Sequence, residues 1–251
     1  MIASAAALAL ALAAYVYFFR GDFGRLNALA ALRPPGWRRR RYRVWITKSW
    51  LLFAAPALIG LALLGRLDAV VTLPDAFLPL AREAGYPAPI FGEGIAVGLI
   101  AGSLVGAGWT LIRRRRGKPP AMLGDFSVLL PRGAGEAGLA AVSAISAGIT
   151  EELYFRLLLP LAIARLTGSA LAGFVAATIL FALAHRYQRW PGVLATGLVG
   201  VLLAYLYLQS GALWVAMAVH AAIDLNGLVV RPALAGMLRR PVPEQDGSFN
   251  A

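Results

Sequence analysis

The chain of 251 residues reads as an all-α, polytopic transmembrane helix bundle of about seven spans, on three observations. Apolar residues make up 59% of it and charged residues 14%, against roughly 45–50% and about 25% in ordinary soluble domains. Several stretches approach the ~20 apolar residues that a helix needs to cross a bilayer. Lys and Arg gather in alternate connections between those stretches, the pattern that sets membrane topology.

The spans are expected at about 2–19, 49–65, 94–112, 138–160, 169–186, 192–209 and 211–230. The first has no basic residues ahead of it and charges behind it, the reverse of a cleaved leader, so it is read as a retained helix. The second follows a basic loop, 20–48, with "RRRRYR" at 38–43; Trp37, Tyr42, Trp45 and Trp50 make that loop an interfacial anchor on anionic headgroups. Between the second and third spans, 66–93 carries Asp68, Asp75, Glu83, Glu93 and four prolines, and reads as an ordered or semi-ordered external connection. The third span ends on "RRRRGK". The fourth holds the one charged cluster at membrane depth, with Pro160 as its kink. The fifth places His185 near its end. In the last two, Gly192, Gly197, Gly200 and Gly211 allow close helix packing.

The basic connections carry twenty Lys and Arg, against three (Arg66, Arg82 and Arg165) in the alternate ones. This puts the N-terminus outside and the C-terminus in the cytoplasm, which an odd number of spans satisfies. The net charge of +12 is therefore topological, and nucleic acid is not an expected partner. With no cysteine, disulfides, thiolate catalysis and Cys-ligated metals are excluded. The chain is expected to form one transmembrane domain over 1–230, with its core at 138–230, and a polar cytoplasmic tail, 231–251, ending in "RRPVPEQDGSFNA" that reads as disordered.

At membrane depth the remaining ionisable groups are Glu151, Glu152, Arg156, His185, His220 and Asp224, and these include both histidines of the chain. Such groups cost about 2.5–3.5 kcal/mol each for Asp, Lys or Arg at mid-helix, face the bundle interior and partner one another. Glu152 and Arg156 are i,i+4 and share a helix face. Glu151 lies about 100° round the helix from Glu152, free to point elsewhere. His220 and Asp224 repeat the i,i+4 spacing, as do Phe181 and His185. Either the fifth helix continues through "RYQR" with snorkelling arginines, or the site opens towards the cytoplasm at His185.

A carboxylate with imidazoles can activate water or hold a metal. No Cys, and no Ser or Lys beside these groups, offers a covalent nucleophile. Hydrolysis by attack of water is the reaction class that fits.

The motifs "EELYFR", "FALAH" and "HAAID" fit EExxxR, FxxxH and Hxxx(N/D) in order. In this the chain resembles the CAAX-protease and bacteriocin-processing (CPBP/Abi) family of intramembrane endopeptidases, whose eukaryotic members include the CAAX prenyl endopeptidase. The resemblance covers roughly 138–230; the first half of the chain adds only topology. It implies peptide-bond hydrolysis within the membrane on a membrane-associated peptide or protein. It implies that Glu151, with His185, activates a water and that His220 and Asp224 stabilise the oxyanion, with Glu152 and Arg156 as supporting residues. Phe181 is read equally as motif residue and as core. No cofactor is favoured. Zinc on Glu151, His185, His220 and Asp224 is the alternative, with acceptable ligand types but no open position for water. Asp224 stands where some members have Asn; an ionised Asp cannot donate a hydrogen bond, so it must be protonated, orient His220 or bind metal.

Two other classes use the same helices: a proton- or ion-coupled transporter, which also buries Glu, Asp and His, and a non-catalytic membrane interaction protein. The abundance of Ala, and of Arg over Lys, points to a GC-rich bacterial genome and so to the bacterial cell membrane.

Overall fold

A computed structural model describes residues 1–19, 36–88, 93–118 and 130–239. The expected tail from 240 onwards and parts of the connections 20–48, 66–93 and 113–132 lie outside the described residues. The described chain is all-helical: α1 (Ile2–Phe19), α2 (Trp37–Ser49), α3 (Ala55–Leu63), the short α4 (Leu78–Glu83), α5 (Glu93–Arg115), α6 (Ala134–Glu152), α7 (Leu159–Thr167), α8 (Ala170–Ala184), α9 (Arg189–Ser210), α10 (Leu213–Leu225) and α11 (Arg231–Leu234). Three π-helical stretches, Trp50–Ala54, Leu153–Leu158 and Asn226–Val230, join α2 to α3, α6 to α7 and α10 to α11. With those joints closed, seven long rods remain besides α4, one at each expected span. Of these, Trp37–Leu63, Arg186–Ser210 and Leu213–Leu234 are long and apolar enough to cross a membrane, and Ile2–Phe18 and Ala170–Ala184 are shorter apolar helices.

The outer faces identify the solvent. On α8, Leu171, Val175, Ile179 and Leu183 are exposed at every fourth position, while Phe174, Ala177, Phe181 and Ala184 are buried. On α9, Leu194, Leu198, Val201, Leu202 and Tyr205 are exposed as well. A helix apolar on every side belongs in lipid or in a large core, and patches of this extent are not left to water. The chain is an integral membrane protein.

Lipid tails are as apolar as Leu, so packing and interhelical hydrogen bonds hold such a bundle. The core centres on Leu153–Leu158, all six residues of which are buried. Around it α6 lies along α10, α7 along α8, α8 along α9, and α1 along α3 and α7. Tyr154 donates to the Ala11 carbonyl and Tyr15 to the Leu180 carbonyl (2.9 Å), which fastens α1 to the core at two points. Gly168, at φ 75°, ends α7 in the left-handed conformation that suits glycine. Ser169 then caps α8 by accepting from the Ala172 N–H (3.2 Å).

Three expectations change and one is sharpened. The basic segment is not a loop from 37 onwards, because its arginine run is helical and continuous with the second span; Arg is a good helix former. Its aromatic residues are not all interfacial: Tyr42 is 2% exposed and Trp45 faces a cavity inside the bundle. The fourth span runs from 134 to 167, and Pro160 sits in the first turn of α7 just after a π-helical stretch, so the missing proline N–H falls where the ladder is already displaced. The 66–88 part of the connection expected to be external is ordered, as anticipated, and is folded onto the bundle: Phe77 is fully buried against Phe174 and Tyr207.

Candidate active site

A cavity of about 260 Å³ opens beside the core, and Glu151, Phe181, His185, His220 and Asp224 all line it. Its placement begins with a glycine. Gly148 lies one turn before Glu152 on α6. A Cβ there would come within 2.8 Å of the Met217 carbonyl oxygen and 2.9 Å of the Ala221 Cβ, the two residues that bracket His220 on α10. The helices can therefore approach closely, and Glu152 reaches across: its Oε1 accepts from His220 Nδ1 at 2.7 Å. The same oxygen lies 3.1 Å from Arg156 Nη1. Glu152 and Arg156 are both sealed from the surface.

The guanidinium of Arg156 stacks on the Phe181 ring, with Cζ 4.1 Å from the centroid, and donates a long bond to the Gly200 carbonyl (3.4 Å). A stacked, desolvated cation of this kind is worth up to ~2 kcal/mol. Phe181 also meets the rings of His185 (5.0 Å) and His220 (5.7 Å), so it is at once core and the surface on which the other motif groups are arranged.

Each histidine has one nitrogen committed. His185 Nδ1 donates to the Phe181 carbonyl (2.9 Å), which leaves Nε2 as acceptor. Glu152 holds His220 Nδ1–H, and His220 Nε2 faces Asp224 Oδ2 at 3.7 Å. Glu151 is turned away from Glu152, as the helix angle predicts, and lines the cavity. Its Oε2 is buried and meets no protein donor among the described residues. Two carboxylates, one acceptor nitrogen and one carboxylate-supported imidazole thus face a single space, a set able to take a proton and to polarise a carbonyl. Among the described residues no three His, Asp or Glu side chains come together closely enough to hold a metal ion.

The fifth helix does not continue through "RYQR". It stops at His185, a 3-10 turn covers Arg186–Gln188, and Arg189 takes φ 64°, ψ 178°, a region nearly reserved for glycine and costing about 1–3 kcal/mol. The reversal turns Tyr187 and Gln188 into the cavity wall. Neither stood out in the sequence. The first half of the chain also does more than set topology, since Phe18, Trp45, Ser49 and Phe53 line the same cavity. The glycines divide by role. Gly200 does lie against Phe181, Thr178 and Arg156, but Gly211 (φ 68°) ends α9, and it is Gly148 that brings α6 and α10 together.

Fold and site together define a helical membrane protein with an acid–imidazole cavity enclosed by its spans. Residues 134–226, which contain all three motifs, match the family model described as Rce1-like: Type II CAAX prenyl endopeptidase Rce1-like. Over that segment the chain is similar to the CAAX-protease family. No curated protein and no solved structure matches the chain.

Proposed function

We propose that the chain is an intramembrane endopeptidase that cleaves a membrane-associated peptide or protein with water activated by Glu151 and His185. Glu151 accepts a proton from the water while His185 Nε2 accepts a second hydrogen bond from it. The water oxygen bonds to the substrate carbonyl carbon, and the C=O pair moves onto oxygen. His220, held by Glu152 and facing Asp224, stabilises that oxyanion. Glu151 returns the proton to the leaving nitrogen as the C–N bond breaks. A substrate segment must unwind to expose its carbonyl. No step runs through a metal.

The observation that carries this reading is the convergence of the three motifs on one cavity, within the segment that matches the family model. The whole described chain serves as one transmembrane domain, and the asymmetry of twenty basic residues against three supports an outside N-terminus and a cytoplasmic C-terminus. The composition supports a bacterial cell membrane as its home. The test compares membrane peptides from cells producing the wild type and Glu151→Gln. A positioned base contributes about 10²–10⁴-fold, so a peptide cut by the wild type is expected to persist uncut in the variant. Identical peptide profiles, with Glu151-dependent proton flux in sealed vesicles, would replace the protease reading with a transporter.

A further inference from the structure

A substrate segment unwound inside the membrane bares N–H and C=O groups that its own helix had satisfied. Backbone in that state is tolerated at membrane depth only where protein or water meets it. A side-chain amide matches such backbone, because it offers a donor and an acceptor side by side. In an extended chain the N–H and C=O of one residue point to the same side, so a single amide can engage both.

Gln188 brings such an amide to the cavity wall. Its Nε2 gives one N–H to the Tyr187 oxygen at 3.1 Å. The second N–H and Oε1 meet no protein group among the described residues. Three features hold the side chain in place. The Gln188 backbone N–H donates to the His185 carbonyl at 2.8 Å, which ties it to the motif histidine. Arg189, at φ 64° and ψ 178°, reverses the chain, and the Gln188 side chain lies over the first turn of α9. Gly192 leaves room for it there: a Cβ at that position would stand 2.2 Å from Gln188 Cβ and 2.9 Å from its Oε1. Strain of this kind persists where the surroundings over-determine it and gathers at functional sites. What the strained turn fixes here is an uncharged amide beside the acid–imidazole set. The rings of His185 and Tyr187 are 5.9 Å apart. Extended chain rises about 3.3–3.6 Å per residue, so the amide stands within about three residues of the bond that faces His185.

We infer that Gln188 binds the main chain of the unwound substrate, with Oε1 accepting from the N–H of one extended residue and Nε2 donating to the carbonyl of that same residue. The inference rests on the endopeptidase reading and deepens it. At this point the site recognises extended backbone rather than a particular side chain, and holding one residue extended presents the neighbouring carbonyl to the activated water. Gly192 acts through Gln188, as a positioning residue.

The test uses full-length protein in proteoliposomes and a quenched fluorescent farnesylated peptide with a CAAX ending. A parallel set of peptides carries an ester in place of one amide at a time, on either side of the scissile bond, and each ester removes one N–H. One hydrogen bond is worth about tenfold in binding, and loss of uniform binding raises KM while kcat stays. Gln188→Met is expected to raise KM about 10–100-fold, with kcat within about threefold and an unchanged melting temperature. Gly192→Ala, which keeps the amide but displaces it, is expected to raise KM in the same direction. The decisive readout is the ester series: one ester should raise the wild-type KM about tenfold and change that of Gln188→Met by less than about twofold. A merely structural role predicts the same ester effect in both enzymes. That result, or a Gln188→Met KM within about twofold of wild type, overturns the inference and leaves the endopeptidase reading intact if Glu151→Gln is inactive. Cleavage that survives Glu151→Gln sinks both.

Discussion

Replacing Glu152 by Ala removes the only carboxylate within ion-pair distance of Arg156 and also the partner of His220 Nδ1, both among the described residues. The guanidinium is left sealed, with one long bond to the Gly200 carbonyl and the face of Phe181. Removing one member of a buried pair costs about 3–5 kcal/mol, because the other charge is stranded. At the ~2–4 °C per kcal/mol of a domain of this size, the melting temperature in detergent falls by about 6–20 °C. The double variant Glu152→Gln with Arg156→Met removes both charges and keeps the volume, and such replacements are often neutral. It should melt close to wild type. Peptide cleavage should not return with it, because a neutral amide does not support the charge on His220 as a carboxylate does. A single Glu152→Ala variant that melts within 2 °C of wild type, or a double variant as unstable as the single, would refute the argument from stranded charge.

Two further outcomes can be checked directly. Gly148→Leu pushes α6 from α10, since even a Cβ collides with the Met217 carbonyl and Ala221; overpacking of this kind costs about 1–3 kcal/mol. Because Glu151 and Glu152 move with α6 and His220 with α10, cleavage should fall further than stability does, measured by kcat beside a melting curve. On the surface, Arg66 hydrogen-bonds Asp68 at 3.1 Å and holds its carboxyl below the usual carboxylate range. A depressed group stabilises above its unfolded pKa and loses that contribution as pH falls through its folded one. The Asp68 carbon-13 carboxyl resonance should therefore titrate below that of a free Asp, and Asp68→Asn should lower the melting temperature only slightly at neutral pH, because an exposed pair contributes little.

The rods and the motif spacings were legible in the sequence because each depends on a period within one helix. Apolar runs mark the spans, and i,i+4 spacing places Arg156 on Glu152 and sends Glu151 to the other side. The bond from Glu152 to His220 was not legible, since it joins residues 68 apart in sequence and depends on how closely two helices approach. Its one sequence signal is Gly148, one turn before Glu152, where a side chain would meet α10. The basic stretch at 37–49 hid its helix because topology reasoning treats arginine as loop punctuation, while helix propensity ranks it high. The turn after His185 was hidden for the opposite reason: an arginine gives no sign of a positive φ, so nothing in "RYQR" announced that Tyr187 would face inward.

The clasp between α1 and the core has a consequence for biosynthesis. Ala11 and Tyr15 leave the ribosome well over a hundred residues ahead of Tyr154 and Leu180, the groups they bind. The first helix must therefore stay in the bilayer, undocked, until the motif-bearing half has been threaded in beside it. A fragment beginning near residue 130 would carry every motif and lack two of its fastenings and one wall of its cavity. Co-expression with the missing N-terminal piece should restore such a fragment, as split membrane proteins are reassembled.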